Sequence, residues 1–256
     1  MTKVQDILQY LESIAPAALK AEWDNVGLLC GSRQKNVKKI LVALDPFIHV
    51  CQEAADWGAD LLVTHHPLIF QPLTAVTDDS TVGQAVMTLL IGGIAAINAH
   101  TNLDCADGGV NDTLASVLGL THIQKVPGDG DGLLRMGEVT PKALEQFLPQ
   151  VKSALQCDGL RYVSGGKPVY KVAVGGGSCG SALYDVIAAG CDTFVTADVK
   201  YNQFWDAREL GLNLIDAGHF ATENPVIPVL AAKLQAHFPQ LEVKISETHV
   251  DCMKYY

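Results

Sequence analysis

Short apolar runs recur along this chain, each closed by a turn and followed by residues at helical spacing. Around residue 40, about four apolar residues (Ile40, Leu41, Val42, Ala43) read as a buried strand. A turn at Asp45 and Pro46 leads into a helical stretch that Gly58 ends, and a second apolar strand runs up to Val63 and Thr64. The unit is strand, helix, strand.

The same unit appears again later in the chain. Read without a gap at an offset of 132, Lys39 to Phe70 aligns with Lys171 to Asn202. Six positions are identical, and Gly58/Gly190, Asp60/Asp192, Val63/Val195 and Thr64/Thr196 gather at one corner. Each copy is followed by a further strand, Gly93 to Ala99 in the first and Leu212 to Ala217 in the second, then a polar corner. Helices at Val110 to Leu118 and Asn224 to Phe238 come next, and strand-like tails at His122 to Val126 and Leu241 to Ser246 follow them. A helix is expected over Val4 to Ile14, another over Pro141 to Leu155, and a strand near Leu160 to Val163.

Alternating strands and helices indicate an α/β class. The repeat indicates two related α/β domains from an internal duplication, with a metal site in the cleft between them. The clearest linker composition is Pro127 to Gly132 (PGDGDG), which predicts domains 1–126 and 127–256.

Composition narrows the function classes. A hydrophobic fraction of 48% excludes a mostly disordered chain, and a formal charge of -10 with scattered basic residues argues against a nucleic-acid surface. The longest apolar run, Ala85 to Ile97, is broken by Thr88, Gly92 and Gly93, so no membrane span is expected. Cys30, Cys51, Cys105, Cys157, Cys179, Cys191 and Cys252 show no paired spacing, which points to a cytoplasmic protein without a disulfide framework.

Candidate chemistry falls where ligands gather in parallel sheets, at the carboxyl ends of strands. His65 and His66 end the strand of the first repeat, and Pro67 forces the chain out of the sheet, so both imidazoles can reach neighbouring points. Asp104 lies in the polar corner after the next strand, where Asp107, Asn111 and Asp112 fit helix caps and turns. His219 and Glu223 are four residues apart, on one face of a helical turn; capping by Thr222 with Glu223 at a positive helix end explains that pair as well. Taken together, the five residues suit two divalent ions such as Zn, Fe, Mn or Co better than Ca or Mg alone. His100 is a candidate proton carrier. His49, His122, His237 and His249 are expected to be structural or solvated. The run Gly175 to Gly180 fits G-x-G-x-x-G after a strand, and Gly175, Gly177 and Ser178 are candidates to cradle a phosphate more than a dinucleotide. Trp23, Asp24 and Asn25 either line a pocket or form a turn with a packed tryptophan.

Glu22 to Leu28 (EWDNVGL), Val63 to Pro67 (VTHHP), His100 to Asp104 (HTNLD), Gly109 to Asp112 (GVND) and Gly218 to Glu223 (GHFATE) together resemble the short form of the Nif-three-like family, the type 2 GTP cyclohydrolase I homologues. The resemblance implies a dinuclear centre in which Glu223 bridges, His66 and Asp104 serve one ion, and His65 and His219 serve the other. It also implies a toroidal homohexamer and a metal-activated water that attacks a nucleotide-like substrate, for GTP at C8 of guanine. Two other functions are compatible with the same ligands: a dimetal phosphoesterase acting on nucleotides or nucleic-acid ends, and a non-catalytic metal-binding scaffold.

Overall fold

The computed structural model describes residues 1–130 and 132–256, and Asp131 of the expected linker lies outside the described residues. From the N-terminus the elements are α1 (Val4–Ile14), β1 (Gly27–Cys30), β2 (Lys39–Ala43), α2 (Ile48–Trp57), β3 (Leu61–Thr64), α3 (Thr81–Ile91), β4 (Ala95–Asn98) and α4 (Thr101–Cys105). Then follow α5 (Val110–Val117), β5 (Thr121–Lys125), β6 (Arg135–Lys142), α6 (Leu144–Leu155), β7 (Arg161–Val163) and β8 (Val169–Val174). The remainder comprises α7 (Leu183–Ala188), β9 (Thr193–Thr196), α8 (Tyr201–Glu209), β10 (Asn213–Asp216), α9 (His219–Glu223), α10 (Val226–His237) and β11 (Glu242–Ile245). The helix expected from Pro141 starts later, because Pro141 and Lys142 end β6 where its register with β8 shifts, a place where the missing proline N–H costs no ladder bond. Among the described residues no helix is long and apolar enough to cross a membrane.

The chain forms two compact units, Met1–Ala106 with Ile227–Val250, and Asp107–Val226 with Asp251–Tyr256. This corrects the single boundary expected between 126 and 127. Helix α5 and strand β5, read as the end of the first half, belong to the second unit, where β5 pairs with β6. Strand β11, read as the end of the second half, lies parallel to β2 in the first unit, with Glu242 N to Lys38 O and Ser246 N to Val42 O both at 2.8 Å. Turn composition marks where a chain reverses; it carries no information on which sheet edge the next strand will satisfy.

The first unit holds a five-stranded sheet in the order β1-β4-β3-β2-β11, parallel except for β1. The central strands read LLVT and AAIN and are buried throughout, the pattern of a sheet covered on both faces. Its C-terminal segment is tied down by Glu53 of α2, whose carboxylate accepts from Glu247 N (3.0 Å), Thr248 N (3.2 Å), Thr248 Oγ1 (2.8 Å) and Ser246 Oγ (2.5 Å). Burial alone would raise the Glu53 carboxyl, but these donors outweigh it and hold it at about 2.

The second unit holds six strands in the order β5-β6-β8-β9-β10-β7, with β8, β9 and β10 parallel. Alternate residues divide between two cores. Val172, Val174, Val195 and Ile215 enter one with Phe147 and Val151 of α6, while Ala173, Phe194 and Leu214 enter the other with Leu183 and Val186 of α7.

Within each unit the repeated segment has the same geometry. Ile40 pairs with Leu61 and Val172 with Thr193, the same register displaced by 132 residues. All six identical positions have a physical role. Gly58 and Gly190 both cap their helices in the left-handed region, at φ 74°. Asp60 accepts from Lys38 N and Lys39 N (2.8 and 3.2 Å), as Asp192 does from Tyr170 N and Lys171 N (3.0 and 2.7 Å). Lys39 and Lys171 each turn their ammonium back onto a helix-end carbonyl, of Trp57 and Ala189. Val42, Val63, Val174 and Val195 are fully buried. Thr64 Oγ1 donates to His66 O (2.7 Å) and Thr196 Oγ1 to Gly177 O (3.1 Å), so each threonine braces a turn at a strand end.

Two stability measurements check this account. Asp192→Ala strips a charged acceptor from two strand-start amides and is expected to lower the free energy of unfolding by about 2 kcal/mol in urea titrations; a loss within the error of the titration contradicts the bracing role. Glu53 carries a depressed folded pKa, so its contribution is present above the unfolded value of 4.5 and is lost as pH falls towards about 2. Glu53→Gln should therefore be less stable than the parent near neutral pH, by a difference that narrows through that window. A gap that does not change with pH refutes the linkage.

Candidate metal-binding histidines at the strand ends

In the first unit, β3 keeps its pairing for two residues beyond Thr64, through His65 N to Ala43 O (3.4 Å) and His66 N to Leu44 O (2.9 Å), and Pro67 then ends it. His65 is fully buried. Its Nδ1 lies 2.9 Å from the carbonyl of Ala99, just past β4, and a carbonyl can only accept. Nδ1 therefore donates to that carbonyl, and Nε2 stands 3.5 Å from Oδ1 of Asp104. Asp104 is itself buried on α4, a helix whose N-cap residue is His100.

His66 is held by a carboxylate. Its Nδ1 is 2.7 Å from Oδ1 of Asp45, in the turn after β2, and the other oxygen of Asp45 is 2.9 Å from Nε2 of His249. Burial would raise the Asp45 carboxyl, but hydrogen bonds from His249 and His66 and their charge outweigh it and keep it well below the usual carboxylate range. His100 has a similar partner, with Nδ1 2.8 Å from Oδ1 of Asp24. The buried Asp24 is held low in the same way: burial opposes ionisation, while His100 and Thr101 favour it. The three rings converge, with centroids 4.8 to 5.3 Å apart, and His65, His66 and His100 each bring a ligand atom within 4.8 Å of the others. This group can hold a divalent cation.

In the second unit, β10 ends at Asp216, whose carboxylate accepts from Gly218 N (3.1 Å), Val199 N (3.0 Å) and Arg161. That brace fixes the start of α9. On α9, His219 Nε2 is 3.1 Å from Oε2 of the buried Glu223, and His219 Nδ1 is 2.7 Å from Oδ2 of Asp198, at the end of β9. Asp198 holds this position in the left-handed region, at φ 51°, a conformation aspartate tolerates better than most residues.

The glycine-rich turn lies against this pair in the same unit. A Cβ on Gly177, where φ is 64°, would stand 2.1 Å from Oε1 of Glu223 and 3.2 Å from the His219 ring. Gly175 N donates to Val195 O (3.0 Å), Gly176 N to Asn111 Oδ1 (2.7 Å), Gly177 N to Thr222 Oγ1 (3.0 Å) and Cys179 N to Thr196 Oγ1 (3.2 Å). Of the residues expected to cradle a phosphate, Gly175 and Gly177 have their amides engaged within the fold, and Ser178 is exposed. The turn makes room for a carboxylate. Asn111 anchors it, while Asp112 caps Gly108 N (2.7 Å) and accepts from the buried Arg135 Nε (2.8 Å).

Each strand-end residue singled out in the sequence lies at a strand-end corner of its own unit. The acceptors behind the imidazoles were not expected as such. Asp45 lies in a turn read from the sequence only for its shape, and Asp24 in a motif read as a pocket lining or a turn with a packed tryptophan. His249 is structural in this sense: it completes the hydrogen bonding of Asp45. His237 does pack, stacked on Tyr10 at 4.0 Å.

Residues 2–251 match the model of the Duf34/NIF3 (NGG1p interacting factor 3) family. A Clostridium perfringens protein named "GTP cyclohydrolase 1 type 2 homolog" is 38% identical over 239 residues, 91% of each chain. One of the same name from Streptomyces coelicolor is 36% identical over 267 residues, 98% of this chain and 93% of its own. Among solved structures, a Bacillus cereus protein related to NIF3 superposes with a TM-score of 0.94 at 25% identity, covering 100% of this chain and 99% of that one. The Staphylococcus aureus hypothetical protein SA1388 superposes at 0.90 with 28% identity, over 99% of each.

The close approach of Gly177 to Glu223 gives a coupling that can be measured. Gly177→Ala is expected to cost about 1 to 3 kcal/mol of stability, from backbone strain and the displaced carboxylate. Glu223→Ala should relieve at least about 1 kcal/mol of that in a double-mutant cycle. Strictly additive losses would show that the two residues do not crowd each other.

Proposed function

The chain belongs to the Duf34/NIF3 family, and on that premise we propose that it is a dinuclear-metal-dependent hydrolase acting on a nucleotide-like substrate. In this reading His65, His66 and Asp104 of the first unit and His219 and Glu223 of the second hold two divalent transition-metal ions. The observation that carries it is the orientation of the imidazoles. His65, His66 and His219 each set Nδ1 against a carbonyl or carboxylate acceptor at 2.7 to 2.9 Å, the arrangement that fixes the ring of a metal-ligating histidine and directs its Nε2 away from that acceptor. The two carboxylates are buried, Asp104 at 6% and Glu223 at 4% exposure, where charge without a cation is costly.

Bound ions of this kind lower the pKa of water towards neutrality and polarise the group it attacks. The chain's own residues do the rest. Asp45 and Asp198 keep His66 and His219 in one tautomer and one ring orientation, and the Ala99 carbonyl does so for His65. His100, fixed through Nδ1 by Asp24, presents Nε2 as the group that takes up or returns a proton. The nucleotide-like substrate is supported by the name the relatives carry, and the toroidal homohexamer by the family resemblance.

Elemental analysis of protein purified without added metal tests the reading. The expected result is about two equivalents of a transition metal per chain, reduced in His66→Ala and Glu223→Gln, and formate release from GTP that EDTA abolishes. Folded protein that takes up no metal overturns the centre; metal-loaded protein that leaves GTP intact overturns the cyclohydrolase reaction while sparing the centre. Sedimentation should give a particle of about six times 27.4 kDa.

A further inference from the structure

The first unit carries two large aromatic rings that its packing does not account for. Trp23 is 64% exposed and Phe70 is 46% exposed, with ring centroids 5.8 Å apart at an interplanar angle of 70°. Both stand edge to face with the His100 imidazole, at 6.1 and 6.3 Å. Large exposed rings forgo burial free energy and ordinarily sit on surfaces that something else covers.

These rings are nonetheless held in place, and polar groups hold them. Asp24, next to Trp23, accepts from His100 Nδ1 (2.8 Å), Thr101 N (3.1 Å) and Thr101 Oγ1 (2.5 Å). Lys20 Nζ donates to the carbonyl of Asp24 at 2.8 Å. Asn25 Nδ2 donates to the carbonyl of Ile69, the residue before Phe70, at 2.7 Å, and Asn98 Nδ2 donates to the carbonyl of Asn25 at 3.0 Å. The loop bearing Trp23 is thus fastened both to the corner that carries His100 and to the segment that carries Phe70. A rigid aromatic face fixed beforehand stacks a planar ligand at little further ordering cost. The imidazole edge beside it suits a ring with polar atoms on its rim better than an aliphatic group.

We propose that Trp23 and Phe70 form a stacking subsite for the planar heteroaromatic ring of the substrate, a nucleobase or a close analogue, beside the proton-carrying His100. The inference deepens the proposed function and rests on it for the neighbouring chemistry, though not for ring binding itself. Trp23 and Phe70 are specificity residues here: they hold the ring, and His100 acts on it.

The test is run on the whole protein in EDTA, so that ring binding is read apart from metal. Guanosine monophosphate and ribose 5-phosphate, which share a sugar phosphate and differ in the base, are titrated by calorimetry into the parent and each variant, and in the parent the Trp23 indole N–H resonance is followed as well, assigned by its loss in Trp23→Phe. The nucleotide should shift that resonance and bind roughly tenfold or more tightly than the sugar phosphate; Trp23→Ala should erase the preference and Trp23→Phe keep most of it. Equal binding of the two ligands, or a preference that survives Trp23→Ala, overturns the subsite. A fall in subunit number in Trp23→Ala with the preference intact assigns the rings to a contact between copies of the chain, and overturns it as well. With metal absent throughout, failure here leaves the metal centre standing, and a failure of the metal centre leaves this result untouched.

Discussion

An imidazole N–H needs an acceptor, and the corners of both sheets are organised around where that N–H goes. Four histidines engage it through Nδ1, on Ala99 O, Asp45, Asp24 and Asp198, at 2.7 to 2.9 Å. Three of these pairs join neighbouring strands of one sheet. His65 and Ala99 lie past the ends of β3 and β4, His66 and Asp45 past β3 and β2, and His219 and Asp198 past β10 and β9. Parallel strands in register end at one level, so a residue just beyond one strand meets a residue just beyond the next. The sheet supplies the alignment, and the loops supply the acceptors.

The duplicated framework was largely legible because its causes are local. Burial makes the inner residues of β2, β3, β8 and β9 (ILVA, LLV, VAV and FV) apolar, the left-handed caps require Gly58 and Gly190, and Asp60 and Asp192 serve strand starts about twenty residues back in the same unit. The strand-end position of His65 and His66 was legible for the same reason: they directly follow a buried strand, and Pro67 ends it. The strand β6, reading RMGEVTPK, is not legible in the sequence because its glycine and its penultimate proline break the apolar pattern, and only its pairing with β8 and β5 makes it a strand.

Less legible was anything decided by a partner distant in sequence. Nothing around Asp45 shows that it lies between His66 and His249, the latter separated from it by about two hundred residues. The glycine-rich turn illustrates the converse. Its spacing matches a phosphate loop, yet its amides are taken by Asn111, Thr222 and Thr196, and Gly177 is small because Glu223 lies against it. One backbone shape serves two ends, and the side chains facing it decide which.

The pairing of β11 with β2 bears on how the chain reaches this state. Lys39 faces Glu242, so the first sheet cannot gain its outermost parallel strand until residues 242–245, about two hundred positions later, have been synthesised. Residues 107–226 lie between the two partners and form most of a unit of their own, with all six strands of its sheet. Once that inserted unit has collapsed, the chain separating β2 from β11 is spanned by a folded body, and the entropic cost of closing it falls. Until then the edge of β2 is open to any other strand, which makes the interval before closure the period when a nascent chain is most exposed to mispairing.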